Sequence, residues 1–494
     1  MRCAIASHHL MVGSNFYHGR TRRMKALIDV VPTAEQLALF SRVTSGVDVI
    51  RGAAGSGKTT TALLKLRTSV AFYLNRARRQ AEPRPVKVLV LTFNRTLRGY
   101  INELTQRQLG REPLISLEIA TFNKWAQNLT DARNILDLDE ASAHLGSLAT
   151  LSGLDSEFAV EEAQYVLGRF PIADLDDYLS ARRDGRGVTP RMEKPARQVL
   201  LDRVIRPYLN FKQESGRVDW GDLACELSNT QVEQYDVIVV DETQDFSANE
   251  IRAVLNQRSA DASVTFVLDS AQRIYARNFS WVEVGVNLRP EKSHTLQTNY
   301  RNTRQIARFA SAMLSGLPID DNGTMPNYAS ARADGPKPIV LRGAYLNQVR
   351  GAIQFLRGID LTEQSVAFLH YKGWFRDLIP ALNRAGFPFV SLTGSPIWPE
   401  GPENIALCTL HSSKGLEFDH VIMIGLDGSV LRVEVPDDED QIDVAEHEPS
   451  ARLRRLVAMG VGRARESVLI GFKPSDTPDI MHFVDDDLYE GRDV

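Results

Sequence analysis

Short apolar runs rich in Val, Ile and Leu recur between Val47 and Asp269 as VDVIRG, KVLVLTF, YDVIVVDE and SVTFVLD, each closed by a polar or glycine-containing residue. Runs that are apolar on both faces read as buried parallel strands, because a half-exposed strand would alternate apolar and polar positions. A second set, PIVLRG, SVAFLH, FPFVSLTG, NIALCTL, HVIMIGL and SVLIGF, follows residue 337, with helical patterns such as TRQIARFASAML and WFRDLIPALNRAG beside it. Strand runs alternating with helical periodicity predict an α/β fold with two parallel-sheet units. Between Trp125 and Glu233 the pattern turns mostly helical, in DEASAHLGSLATL, EFAVEEAQYVLGRF and ARQVLLDRVIRPYLNF, broken by the polar RRDGRGVTPR. That stretch reads as a helical insertion. The acidic run EVPDDEDQIDVAEHEPS, from Glu434 to Ser450, lacks apolar periodicity and reads as a solvated loop.

A chain of 494 residues has room for two or three hydrophobic cores. The pattern divides it into a first unit at 30–126 and 233–293, an insertion at 127–232 and a second unit at 294–480. The net charge of -4 argues against a globally basic nucleic-acid binder, so any contact with phosphate must come from a local groove. Cys3, Cys225 and Cys408 lie far apart without a CxxC pair, which indicates neither a zinc site nor a disulfide framework and fits a reducing, cytoplasmic setting. No apolar run reaches the roughly 18 to 20 residues of a membrane helix. The basic opening MRCAIASHHLMVGSNFYHGRTRRMK has no continuous apolar core and does not read as a signal peptide; His8, His9 and His18 read as exposed tail residues.

The strongest chemical signal is GAAGSGKTT, which follows the strand run VDVIR and precedes the helical pattern TTALLKLRTSVAFYL. That context makes it a phosphate-binding P-loop. In it, Gly52, Ala53, Ala54, Gly55, Ser56 and Gly57 would wrap backbone N–H groups around ATP phosphates, at a helix N-terminus that adds a favourable dipole. Lys58 would reach the β- and γ-phosphates, Thr59 would offer its hydroxyl to Mg2+, and Thr60 completes the motif. VIVVDETQD supplies what such a loop lacks, an apolar strand delivering Asp241 and Glu242 together at its carboxyl end. Asp241 is the candidate magnesium ligand, and Glu242 the candidate base that orients the attacking water.

Beyond these two motifs the chain resembles the UvrD/Rep type of superfamily 1 DNA helicase, with motifs in that family's order over about four fifths of its length. The resemblance implies two RecA-like lobes that hydrolyse ATP and move along single-stranded or tailed DNA. PTAEQ puts Gln36 where the family reads adenine, and LVLTFNRTLRGYI and ATFNKWA resemble its strand-tracking motifs. DSAQRIY implies that Gln272 senses the γ-phosphate. LQTNYRNTRQI implies adenine stacking by Tyr300 and a γ-phosphate contact by Arg301. TLHSSKGLEF implies a ribose contact by Glu417 and a nucleic-acid-facing His411, and VAMGVGRARE makes Arg463 a second arginine crossing the cleft. Phe93, Asn94, Thr121, Phe122, Tyr275 and His411 are the candidate strand contacts, with core packing the competing reading for Phe93 and Phe122. The basic stretches LNRARRQ and RLRR are further candidates for the track.

Three positions depart from the family: Arg277 stands where a stacking tryptophan is usual, Ala458 for a tyrosine and Gly462 for a threonine. Phe279, Trp281 or Arg277 itself are the candidate substitutes for the lost platform. Only SPIWPEGPEN separates the strand-helix-strand ending in SLTG from TLHSSKG, so the family's second accessory insertion is essentially missing. The resemblance favours 3′ to 5′ movement on DNA, with RNA open. Two further readings stand beside the motor: a subunit paired with a nuclease in antiviral defence, and an ATP-gated sensor of nucleic-acid ends that does not unwind.

Overall fold

The computed structural model describes residues 36–37, 39, 43–52, 56–92, 112–182, 192–269, 279–296, 301–317, 333–392, 403–431 and 448–494. Two all-parallel sheets with helices packed on them form an α/β molecule of two RecA-like lobes. The first sheet contains β1 (Gly46–Gly52), β2 (Val86–Thr92), β3 (Ile115–Thr121), β4 (Tyr235–Val240), β5 (Arg258–Asp269) and β6 (Ser293–Leu296), in the order β3-β2-β4-β5-β1-β6. Because β5 lies between β1 and β4, the P-loop and the acidic pair leave the same sheet edge one strand apart. A crevice at the carboxyl ends of such strands is where open α/β sheets bind ligands.

Helix α1 (Lys58–Ala77) returns from the P-loop across the sheet, burying Ala62, Leu63, Leu66, Val70 and Tyr73. Helices α2 (Phe122–Thr130), α3 (Leu138–Ser152), α4 (Ser156–Arg169), α5 (Lys194–Leu200), α6 (Arg206–Ser215) and α7 (Trp220–Asn229) come next, before α8 (Ala248–Asn256). α3 to α6 enclose a core of their own around Leu145, Val166, Leu201, Val204 and Tyr208. Between α5 and α6, Leu201–Ile205 form a wider π turn in which Arg206 N–H bonds to Leu201 C=O. Pro207 has no N–H to return to the preceding turn, and the π turn lets the helical path continue past it.

The second sheet contains β7 (Ile339–Arg342), β8 (Val366–His370), β9 (Val390–Ser391), β10 (Ile405–Thr409), β11 (Phe418–Met423), β12 (Ala464–Phe472) and β13 (Glu490–Asp493), in the order β13-β7-β12-β11-β8-β10-β9. Among the described residues, four α-helices accompany it: α9 (Arg304–Ala312), α10 (Tyr345–Leu356), α11 (Leu378–Ala385) and α12 (Glu448–Val461). The helix expected from WFRDLIPALNRAG starts only at Leu378. Pro380 explains this: it is tolerated in a first turn, but a helix begun at Trp374 would place its ring against the carbonyl of Arg376. Of the acidic run, Glu448–Ser450 belong to α12, which corrects the loop reading there; the rest lies outside the described residues, as does the basic opening.

Candidate active site

Within the P-loop, Ala53, Ala54 and Gly55 lie outside the described residues; the flanks are well defined. Gly52 closes β1, and a Cβ there would stand 2.4 Å from Ser56 Oγ and 3.1 Å from Leu296, so no side chain fits. Gly57 takes φ 75°, a left-handed conformation that glycine adopts without steric cost. Gln36 Nε2 donates to Gly57 C=O at 3.4 Å, and Thr61 Oγ1 donates to the same carbonyl at 2.9 Å. Among the described residues, Ser56 Oγ is buried without a hydrogen-bond partner, a polar atom available to a phosphate. Lys58, Thr59 and Thr60 open α1, half-buried. Below them a buried ion pair, Lys65 Nζ to Asp48 Oδ2 at 2.9 Å, fastens α1 to β1.

All six residues of β4 are buried, so the strand projects its polar ending rigidly into the crevice. Asp241 N–H bonds to Leu91 C=O at 3.0 Å, and Asp241 Oδ2 accepts from Thr59 Oγ1 at 2.9 Å. A hydroxyl and a carboxylate so placed suit a hard cation such as magnesium, which keeps waters and substrate oxygens as its other ligands. Glu242 is a non-glycine residue at φ 54°. Thr243 holds that strained turn: its Oγ1 donates to Val240 C=O at 2.9 Å and accepts from Val267 N–H at 3.2 Å. Burial and the adjacent Glu242 carboxylate push the Asp241 carboxyl up to about 7. Burial acts on Glu242 in the same direction, but Lys414, Arg463 and Lys58 outweigh it and hold its carboxyl below the usual range.

Two of those cations come from the second lobe. Lys414 Nζ bonds to the fully buried Asp245 and stands 3.8 Å from Glu242 Oε2. Arg463, 4% exposed, follows α12 at the start of β12. Arg301 pairs with Glu417 and donates to Gly462 C=O at 3.3 Å, while Asn302 Nδ2 donates to Gly462 C=O at 3.1 Å. Two residues expected to contact different ends of ATP, Arg301 and Glu417, are therefore bonded to each other in this state. Lys414 and Asp245 were not among the candidate site residues. Both stood inside quoted motifs, and a lysine with no alternative use in TLHSSKGLEF was the available signal.

Among the candidate strand contacts, Thr121 caps α2 by accepting from Lys124 N–H at 3.5 Å, and His411 is half-buried beside Lys414. Phe122 is 4% exposed and meets Trp125 and Phe246 edge-on, at 5.5 and 6.1 Å between centroids. Its ring belongs to the core and offers no face to a base, which corrects that assignment. Phe93, Asn94, Gln272, Tyr275, Arg277 and Tyr300 lie outside the described residues. Phe279 and Trp281 pack on the first-lobe core, Trp281 against Phe266 at 5.1 Å.

The basic stretches also serve other ends. LNRARRQ closes α1 about 30 Å from Lys58, at 1.5 Å per residue, with Arg76 paired to Asp261 and Arg78 to Glu112. In RLRR, Arg454 is buried, bonded to Met313 C=O at 2.8 Å and stacked on Phe483.

Residues 35–278 match the family model of an AAA domain. A probable DNA helicase from Mycoplasma pneumoniae is 21% identical over 415 residues, covering 77% of this chain and 73% of the relative. Together these matches support a UvrD/Rep-like superfamily 1 DNA helicase. The same matches support an ATP-dependent enzyme that binds nucleic acid. The C-terminal domain of a possible DNA helicase from Lactobacillus plantarum also aligns, at 18% identity and a TM-score of 0.28, over 39% of this chain and 99% of that domain. A likeness that low carries no argument. No helix among the described residues is long and apolar enough to cross a membrane.

Proposed function

We propose that the chain is a single-stranded DNA translocase and helicase, moving 3′ to 5′, in which hydrolysis at the first lobe requires cations delivered by the second. The observation that carries this reading is Lys414: it leaves the second lobe in the turn after β10 and meets Asp245 and Glu242 of the first lobe. A site whose carboxylates are charge-balanced from across the cleft hydrolyses according to lobe position, and alternating lobe positions move a strand.

In this reading Gln36 and Tyr300 hold the adenine, Glu417 the ribose, and the P-loop with Lys58 the phosphates. Thr59 and Asp241 would hold Mg2+, which supplies charge neutralisation at the phosphates when bound. Glu242, kept ionised by its three cations, orients the attacking water and accepts its proton. Gln272, Arg301 and Arg463 respond to the γ-phosphate. Engagement of nucleotide releases Arg301 from Glu417, so one exchange of partners frees both for the ligand.

Steady-state ATP hydrolysis with and without single-stranded DNA or RNA tests the proposal, with Lys58→Ala and Glu242→Gln as controls. DNA stimulation lost in both variants, together with displacement of the paired strand from a 3′-tailed duplex, is the expected result. Hydrolysis indifferent to nucleic acid would overturn the autonomous motor and favour the nuclease-partnered form. Stimulation without strand displacement would favour the end sensor.

A further inference from the structure

Among the described residues, the largest exposed ring in the second lobe is one that no motif pointed to. Trp374 is 55% exposed, in a turn between β8 and α11. The turn is built rather than loose. His370, the last residue of β8, is buried, and its Nδ1 accepts both Lys372 N–H and Trp374 N–H at 3.1 Å. The indole stacks on that imidazole at 5.8 Å and 28°, and a Cβ on Gly425 would stand 3.8 Å from the imidazole's Nε2. Gly373, at φ +69°, lets the chain reverse, and a Cβ there would stand 3.2 Å from Thr409 Cγ2. The turn therefore rests on the neighbouring one, which begins at Thr409 and carries His411 and Lys414. Leu410 N–H also bonds to His370 C=O at 3.2 Å.

We propose that Trp374 is a base-stacking platform for single-stranded nucleic acid on the second lobe, with Lys372 and Arg376 beside it for the phosphates. This rests on the translocase reading and adds a residue to it. Lys372 Nζ lies 4.8 Å over the indole, and both Lys372 and Arg376 are exposed, so the ring is framed by cations rather than by an apolar patch. A protein-docking site needs a broad apolar centre, whereas one ring with flanking cations is what a nucleotide needs. The location fits too, at the carboxyl ends of β8 and β10, whose adjoining turn reaches the catalytic carboxylates through Lys414. A platform here also supplies a ring in a chain where Arg277 stands at the family's tryptophan position.

The test is binding of fluorescein-labelled oligo(dT) by anisotropy, with intrinsic tryptophan fluorescence read in parallel. Trp374→Ala should weaken binding about 5- to 150-fold, the range for one base–aromatic stack, while Trp374→Phe should retain most of the affinity. In a shared Trp398→Phe background, quenching of tryptophan emission on binding should disappear in Trp374→Phe, leaving Trp125 buried and Trp220 and Trp281 partly buried against the first-lobe core. Lys372→Ala should flatten the salt dependence of binding, and Trp374→Ala should leave its slope unchanged. A folded Trp374→Ala protein that binds as tightly as wild type, or equal losses in Ala and Phe variants, would overturn the platform and leave the motor standing. Absence of binding by the wild type would overturn the translocase reading and the platform together.

Discussion

Glu242 holds a conformation that costs a non-glycine residue of order 1–3 kcal/mol, and the fold maintains it through Thr243. Such strain is retained where it aims a side chain, and here it aims a carboxylate toward Lys414 and Gln244. Glu242→Gln keeps the shape and removes the proposed base, so kcat should fall about 10²- to 10⁴-fold with nucleotide affinity preserved. Equal losses in kcat and affinity would reassign Glu242 to binding. Lys414 acts through Glu242, and Lys414→Met separates that positioning role from a structural one. Without the cation, burial raises the Glu242 carboxyl, so the acid limb of the kcat profile should move to higher pH. A limb that stays in place while kcat drops would mean that Lys414 does not govern the base.

At the scale of elements, the buried strands and the P-loop context were legible because buried parallel strands carry a continuous apolar run. β3 and β6 were not, being short or half-exposed edge strands, and β13, EGRD, has no apolar residue to signal it. Trp374 was lost because its neighbours read as helix, and only the capture of two N–H groups by His370 shows otherwise. The Arg301–Glu417 pair depends on how the second lobe folds and the reach of Lys414 on how the lobes meet, neither of which spacing along one chain encodes. The join of α1 to β1 was equally hidden, although it determines where Lys58 sits. Asp48 also faces Lys292 at 3.3 Å and His294 at 3.4 Å, whereas Lys65 is enclosed at 3% exposure. Removing either partner therefore has unequal consequences. Asp48→Asn strands a buried ammonium and should cost about 3–5 kcal/mol, while Lys65→Met leaves Asp48 with Lys292 and a hydrogen-bonding contact to His294 and should cost less. Urea denaturation of the two variants decides it, and the reverse order would show that Lys292 and His294 do not support Asp48.

For the whole molecule, Lys414 of the second lobe is paired with Asp245 and faces Glu242 of the first, but the responses of the two lobes to acid differ. His370, His411 and His420 all lie in the second lobe and are all held below the usual histidine range, in each case first by burial, with Lys372 adding to it at His370 and Arg452 and Lys414 at His411. A histidine depressed in the folded state binds fewer protons there than when unfolded. Its contribution is present above the unfolded value of about 6.5 and is lost as pH falls through the folded one. In the first lobe, Asp48 and Glu242 are depressed carboxylates whose contributions persist until pH falls below about 4. Asp241, raised to about 7, has the opposite sign: it favours the folded state at low pH and loses that contribution as pH rises through 7. Lowering pH from about 7.5 to about 5.5 should therefore loosen the second lobe while sparing the first. Amide exchange along β8, β10 and β11 should accelerate before exchange along β1, β4 and β5. Simultaneous loss of protection in both sheets would mean that the lobes unfold as one unit, and earlier loss in the first would contradict the assigned signs.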